Sequence, residues 1–290
     1  MSAVFDVAVV GAGPGGIAAA TVAAETGKRV CLLDNNPSPG GQIWRGFRSE
    51  NAGKYPCGKA FLRWTARLKS SGCEVWPGCQ VVDAPARRRL RLECGSESRD
   101  LAFKRLILAT GARERFLPFP GWTLPNVMGA GGLQALVKGG LDPRGKRVVV
   151  AGSGPLLLAV AAGLARAGAM IEGIFEQATM AHVAGFGLFT LLAQPGKLAE
   201  GARYRLQTLS AAYRLGIWVT RAEGRGRVER VTVTNGLHSR TLACDWLAVD
   251  SVWRQTWNWR GSWAATFPMA RSRSMPCRKA RFKACFVWVS

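Results

Sequence analysis

The sequence predicts an α/β protein built from two parallel-sheet domains in tandem, the second inserted into the first. Two observations carry this. Residues 5–34 run strand, glycine turn, helix, strand, and residues 146–176 repeat the pattern at similar internal spacing. In the first copy, Val7–Val10 is an apolar run of the buried-strand kind, and Gly11-Ala12-Gly13-Pro14-Gly15-Gly16 makes a tight turn. An alanine-rich helix follows, and a second strand, Arg29–Leu33, ends in Asp34. In the second copy, the strand is Lys146–Ala151 and the turn Gly152-Ser153-Gly154-Pro155-Leu156-Leu157. Its helix is Leu158–Ala167, and its closing strand, Ile171–Phe175, reaches Glu176.

Each glycine of the first turn has a physical task. Gly11 permits the turn, Gly13 lets the backbone approach a pyrophosphate, and Gly16 lets helix and strand pack closely. The free N–H groups and positive dipole end of the helix then face the phosphates. Asp34 stands where a carboxylate accepts ribose hydroxyls. Both units are therefore expected to be Rossmann-like dinucleotide-binding domains. The second is the weaker match, because Leu157 replaces the third glycine and holds helix and strand further apart. Gly152 and Gly154 remain for phosphates and Glu176 for a ribose. No arginine follows Glu176, which favours NAD(H) or another adenine nucleotide over NADP(H). The alternative is a domain kept for packing and partner contacts.

Between the two copies, Asn35–Gln42 is a turn-rich loop, and residues 58–72 read as an amphipathic helix with Phe61, Leu62, Trp64 and Leu68 apolar. Short alternating strands are expected from Glu74 to Leu101, as in a small inserted sheet, and Arg105–Ala109 is a buried strand delivered into Thr110-Gly111. Residues 114–128 form a proline-punctuated connector, and Leu133–Lys138 a short helix. The expected domains are residues 1–118, 119–250 and an aberrant tail, 251–290.

Composition excludes several classes. Val7–Ala24 and Val148–Ala165 are uncharged, yet a Gly-x-Gly-Pro turn breaks each, so neither is expected to span a membrane. The amino terminus has no basic region and Asp6 interrupts it, so no signal peptide is expected and the protein is placed in the cytoplasm. The eight cysteines include no C-x-x-C pair and read as scattered free thiols. His182 and His238 have no ligand-spaced partner, so no metal site is expected. The net charge of +22 suggests nucleic acid, but no recognition motif accompanies it. The densest body cluster, Arg87–Leu92, reads as a solvated hairpin face.

The segments VGAGPGGIAAA, GGQIW, LILATGARER and VVVAGSGPLLLAVAAGLARAGA together resemble the flavoproteins with two dinucleotide-binding domains, the pyridine nucleotide-disulfide oxidoreductase-like superfamily. GGQIWR, PGWTLPNVMGAGGLQALVKGG, FEQA and LLAQPGKL narrow the resemblance to alpha subunits of opine oxidase, hydrogen cyanide synthase and D-hydroxyproline or proline dehydrogenase complexes. The resemblance covers residues 4–250. It implies FAD at the first site, lined by Gly11, Gly13, Gly16, Asp34, Gly41, Gln42, Thr110 and Gly111. It also implies oxidation of an amine or imino acid in a hetero-oligomer with an iron–sulfur component and a second flavoprotein subunit. No catalytic acid or base is assigned. Two other readings stay open: an NADH-dependent reductase of a carrier protein, and a non-catalytic nucleotide-binding assembly subunit.

From Ser251 the composition changes. Residues 251–290 hold six arginines, two lysines, five tryptophans and no acid, with no helical or strand periodicity. A basic aromatic arm for single-stranded nucleic acid is one reading. A frameshift fits better. With one base restored near Val249, permitted codons for residues 250–263 spell GLGLAPNLELARQL, and those for the last residues spell GVFCVGE, which resembles the superfamily's final FAD segment. This reading expects an FAD domain incomplete at its C-terminus, weak FAD retention and an inactive chain.

Overall fold

The computed structural model describes residues 4–47, 57–154, 156–193, 195–250 and 252–255. They divide into two compact units, residues 4–113 with residue 255, and residues 114–254.

The first unit contains β1 (Phe5–Val10), α1 (Pro14–Glu25), β2 (Val30–Asp34), α2 (Gly58–Ser70), β3 (Glu74–Pro77), β4 (Cys79–Ala86), β5 (Arg89–Cys94) and β6 (Glu97–Leu108). The sheet order is β3-β2-β1-β6-β5-β4. Strands β3, β2, β1 and the second half of β6 are parallel, and β6, β5 and β4 form an antiparallel meander. Successive side chains of a strand point to opposite faces. Val9 and Leu32 therefore meet Ile17, Ala20 and Phe61 of the helices, while Ala8, Val10 and Leu33 meet Leu90, Leu92 and Phe103 of the meander. Burial on both faces is the reason Val7–Val10 of β1 and Val30–Leu33 of β2 read as unbroken apolar runs.

Local chemistry sets the ends. Helix α2 stops at Ser70 instead of running to residue 72. There the Ser71 hydroxyl donates to the Leu68 carbonyl and accepts from the Cys73 N–H, and Gly72 turns at φ +74°. Strand β6 runs unbroken from Glu97 to Leu108, joining the last of the short strands expected up to Leu101 to the strand expected from Arg105. Its first four residues are exposed and mostly charged, and they are held in the sheet by β5, which pairs with β6 from Arg89↔Ala102 to Cys94↔Glu97.

The chain enters and leaves the second unit through β7 (Ala112–Arg115) and a later strand that pairs with it. Next come β8 (Val127–Gly129), α3 (Ala130–Lys138), β9 (Arg147–Gly152), α4 (Leu156–Arg166) and β10 (Met170–Glu176). They are followed by α5 (Met180–Ala193), α6 (Pro195–Gln207), β11 (Tyr213–Leu215), β12 (Trp218–Glu223), β13 (Arg230–Thr234), β14 (Ser239–Ala243), β15 (Trp246–Asp250) and β16 (Val252–Gln255). A parallel sheet runs β11-β10-β9-β15-β8, and β12-β13-β14 is a second meander. The layering repeats that of the first unit. Val148, Val150 and Ile174 pack on Leu133, Leu157, Val160 and Leu164, while Val149, Phe175 and Leu247 pack on Val231 and Val233. The sequence thus encodes an α/β fold of two parallel-sheet, dinucleotide-binding-type units.

The cysteines require a correction. Cys79 and Cys94 stand opposite each other in the β4–β5 ladder and form a disulfide, so the eight are not all scattered free thiols. Only the hairpin register brings the two together, and no local spacing signals it. Cys31, Cys73 and Cys244 are free thiols. In the tail, β16 forms by pairing with β7 without any periodicity of its own. The frameshift reading otherwise lies outside the described residues. No helix among the described residues is long and apolar enough to cross a membrane.

Candidate nucleotide site

At the C-terminal edge of the first parallel sheet, the glycine turn, Asp34 and the segments around residues 40 and 110 converge. A Cβ on Gly11, which has φ +100°, would lie 2.4 Å from the Ala109 carbonyl oxygen and 3.2 Å from the Thr110 Cα. The Ala109 N–H donates to the Val10 carbonyl at 2.8 Å. A Cβ on Gly41 would lie 2.8 Å from the Gly13 Cα, and the Gly40 N–H donates to the Ala12 carbonyl at 2.7 Å. The backbone of residues 40–41 therefore rests directly on the turn. Trp44, 1% exposed among the core residues of this face, anchors that segment. Gly111 follows at φ +74°, and Gln42 is exposed beside Gly41.

Gly13 caps α1 in an extended conformation, with no side-chain hydrogen bond, no acid in the first turn and nothing within 4 Å of where a Cβ would stand. The first turn of α1 thus carries no acidic side chain or side-chain cap, and the positive end of its dipole suits an anion. At the rim, Asp34 is buried. Its Oδ2 accepts the Ala12 N–H at 2.5 Å, and its Oδ1 accepts the Asn36 N–H at 2.8 Å and Nδ2 at 2.6 Å. Three donors hold this carboxylate in one orientation. Asn36 and Arg45, whose guanidinium lies 3.5 Å from the Asn36 side-chain oxygen, had no signal in the sequence beyond their place in turn-rich segments.

The second copy repeats the arrangement. Glu176 is buried, its Oε2 accepting the Gly154 N–H at 2.9 Å and its Oε1 the Ala178 N–H at 3.0 Å. A Cβ on Gly152 would lie 1.7 Å from the Asp250 carbonyl oxygen, whereas the space at Gly154 is open. Leu157 is fully buried in the core between α4 and the sheet. Tyr213, beside Glu176, has its phenol pushed up to about 12 by burial and by that carboxylate. Glu114, missed in the sequence, accepts the Gly131 N–H at 2.6 Å and the Gly132 N–H at 3.2 Å, closing the N-terminus of α3 with a carboxylate. Among the described residues no cluster of three metal-capable side chains exists.

The model of the pyridine nucleotide-disulphide oxidoreductase family matches residues 5–255. The chain belongs to this family. It is 34% identical over 234 residues to hydrogen cyanide synthase subunit HcnB of Pseudomonas protegens, covering 78% of this chain and 50% of that one. It is 39% identical over 172 residues to an opine oxidase subunit of Rhizobium meliloti, covering 57% and 37%. The alpha subunit of sarcosine oxidase from a Corynebacterium species is 29% identical over 199 residues, covering 62% and 20%. The chain thus spans half or less of the length of these relatives. Among solved structures, thioredoxin reductase of Lactococcus lactis superposes with a TM-score of 0.63 at 17% identity, covering 89% of this chain and 80% of that one. L-proline dehydrogenase of P. horikoshii gives 0.55 at 21%, covering 87% and 43%. These two show the fold.

Proposed function

We propose that this chain is the nucleotide-binding part of an FAD-dependent oxidoreductase subunit that oxidises an amine or imino acid within a heteromeric complex. The observation that carries it is the uncapped, acid-free N-terminus of α1 with Asp34 fixed at its rim. Gly11, Gly13 and Gly16 would cradle the pyrophosphate and Asp34 would hold the ribose. Gly41, Gln42, Thr110 and Gly111 would line the remainder. FAD held there supplies a two-electron acceptor for the donor carbon, and the protein's part is to bind and orient it. Glu176, Gly152 and Gly154 would hold NAD(H) or another adenine nucleotide in the second unit.

The heteromer draws support from α5. Its Met180, Phe186, Leu188 and Phe189 are each more than half exposed, and it has no charged face. A helix this apolar is normally covered. A second copy would bring together two bodies of formal charge +22, so a companion subunit of opposite charge fits better. The relatives named above are themselves subunits.

The test is an absorbance titration of the chain co-purified with its companion, using proline, hydroxyproline, glycine and opines as donors. Bleaching of bound flavin by one of these is the expected result. Bleaching by NADH alone would favour the carrier-protein reductase reading, which the Glu176–Gly154 arrangement keeps in view.

A further inference from the structure

Cys79 and Cys94 are the terminal pair of the β4–β5 ladder, and Cys79 sits one residue from the rim of the first nucleotide site. Asp34 pairs with Pro77 across β2 and β3. Gly78, at φ +68°, is the single residue joining β3 to β4, and its N–H donates to the Asn36 carbonyl at 3.0 Å. Asn36 in turn donates twice to the Asp34 Oδ1. A short chain of contacts thus runs from the sulfur bridge through Gly78 and Asn36 to the acid at the rim.

Terminal pairs of a ladder fray unless something ties them. Here the tie is covalent, and Cys94 is only partly buried while Cys79 is nearly enclosed. We propose that Cys79 and Cys94 are a reversible thiol–disulfide modification site, and that its oxidation state sets how firmly Gly78 and Asn36 hold Asp34. The co-reactant is a small cellular thiol of the glutathione class. Its thiolate attacks the Cys94 sulfur, the Cys79–Cys94 bond breaks, and Cys79 leaves as a thiolate and takes up a proton. A second thiolate attacks the small molecule's sulfur in the mixed disulfide. Cys94 is released as a thiolate and protonated, and the small disulfide departs. Two electrons pass from two thiols to the protein, and the reverse sequence restores the bond.

Cys31, Cys73 and Cys244 are poor competitors. Burial pushes the Cys73 thiol up to about 11 and that of Cys244 to about 12, and it raises Cys31 further still. That the rim belongs to a flavin site rests on the FAD reading, but the test needs no nucleotide, so the two can fail separately.

The whole chain is equilibrated in oxidised or reduced glutathione, mapped by differential alkylation and mass spectrometry, and followed by hydrogen exchange. The 79–94 linkage should form and open reversibly. On reduction, amide exchange in residues 34–36 and 77–79 should rise about tenfold while β1 and β6 stay protected. Cys94→Ser should show the faster exchange in both buffers. The proposal is overturned if the pair stays dithiol in oxidised glutathione. It is equally overturned if exchange at 34–36 and 77–79 ignores its oxidation, or if Cys94→Ser keeps the slow pattern.

Discussion

A Cβ on Gly16 would lie 1.7 Å from the Gly11 carbonyl oxygen and 3.2 Å from the Ala109 Cβ, so helix α1 touches the strand turn through bare backbone. The obstructing atom belongs to the main chain and cannot swing aside. Gly16→Ala should therefore cost about 3 kcal/mol, the upper end of ordinary overpacking, read as a lower urea midpoint with an unchanged slope. Gly13→Ala is the contrast, since Gly13 has φ −70° and open space around it. Its urea midpoint should barely move, while ADP binding weakens because the added methyl intrudes on the phosphate approach.

Glu114 offers a second test. Its carboxylate takes two N–H groups of the first turn of α3, groups that would otherwise lack partners. Glu114→Ala should destabilise the second unit by about 1–2 kcal/mol, visible as a lower Tm in calorimetry. Glu114→Gln, which keeps an acceptor oxygen, should recover part of the loss.

The acid limb of stability should carry a signature of Asp245. Donation from the Arg147 side chain, then from its backbone N–H, holds this carboxyl below its ordinary value of 3.8. A depressed carboxyl stabilises the fold fully above its unfolded value, and the benefit is lost as pH falls through the lower folded one. Wild type should exceed Asp245→Asn in stability at neutral pH. The pair is more than a third exposed, so the gap should be about 0.2–1 kcal/mol. It should close below pH 3.8 in unfolding measurements across the acid range.

For α5, the double change Phe186→Asp and Phe189→Asp should lower binding of an apolar fluorescent dye to the isolated chain. It should also abolish co-purification with the companion subunit. Both side chains are more than half exposed, so folding should be untouched. Retained co-purification would move the interface elsewhere.

Much of this architecture was legible because glycine chemistry and unbroken apolar strands leave strong local marks. The turns at Gly11 and Gly152, the acids Asp34 and Glu176, and the strands feeding them stand where their residues put them. What escaped depends on contacts between distant segments. Asn36 braces Asp34 only because the chain doubles back two residues later, and Glu114 caps a helix seventeen residues away. Cys79 meets Cys94 only through hairpin register. Helix α5 has apolar residues on every side, so no periodicity marked which face would be covered. The continuity of β6 across residues 102–104 also lay beyond local pattern, since the sequence marks only its two ends as strand.

The most direct measurement is calorimetric titration of ADP into the chain and its Asp34→Ala variant, both carrying Glu176→Ala to silence the second unit. ADP probes the cradle built by residues 5–111 and needs nothing from the tail. Losing the charge-assisted ribose contacts should weaken binding roughly 10- to 100-fold, the equivalent of about 1.5–3 kcal/mol. Equal titration curves for the two proteins, or no heat from either, would contradict a nucleotide at the turn between Gly11 and Gly16.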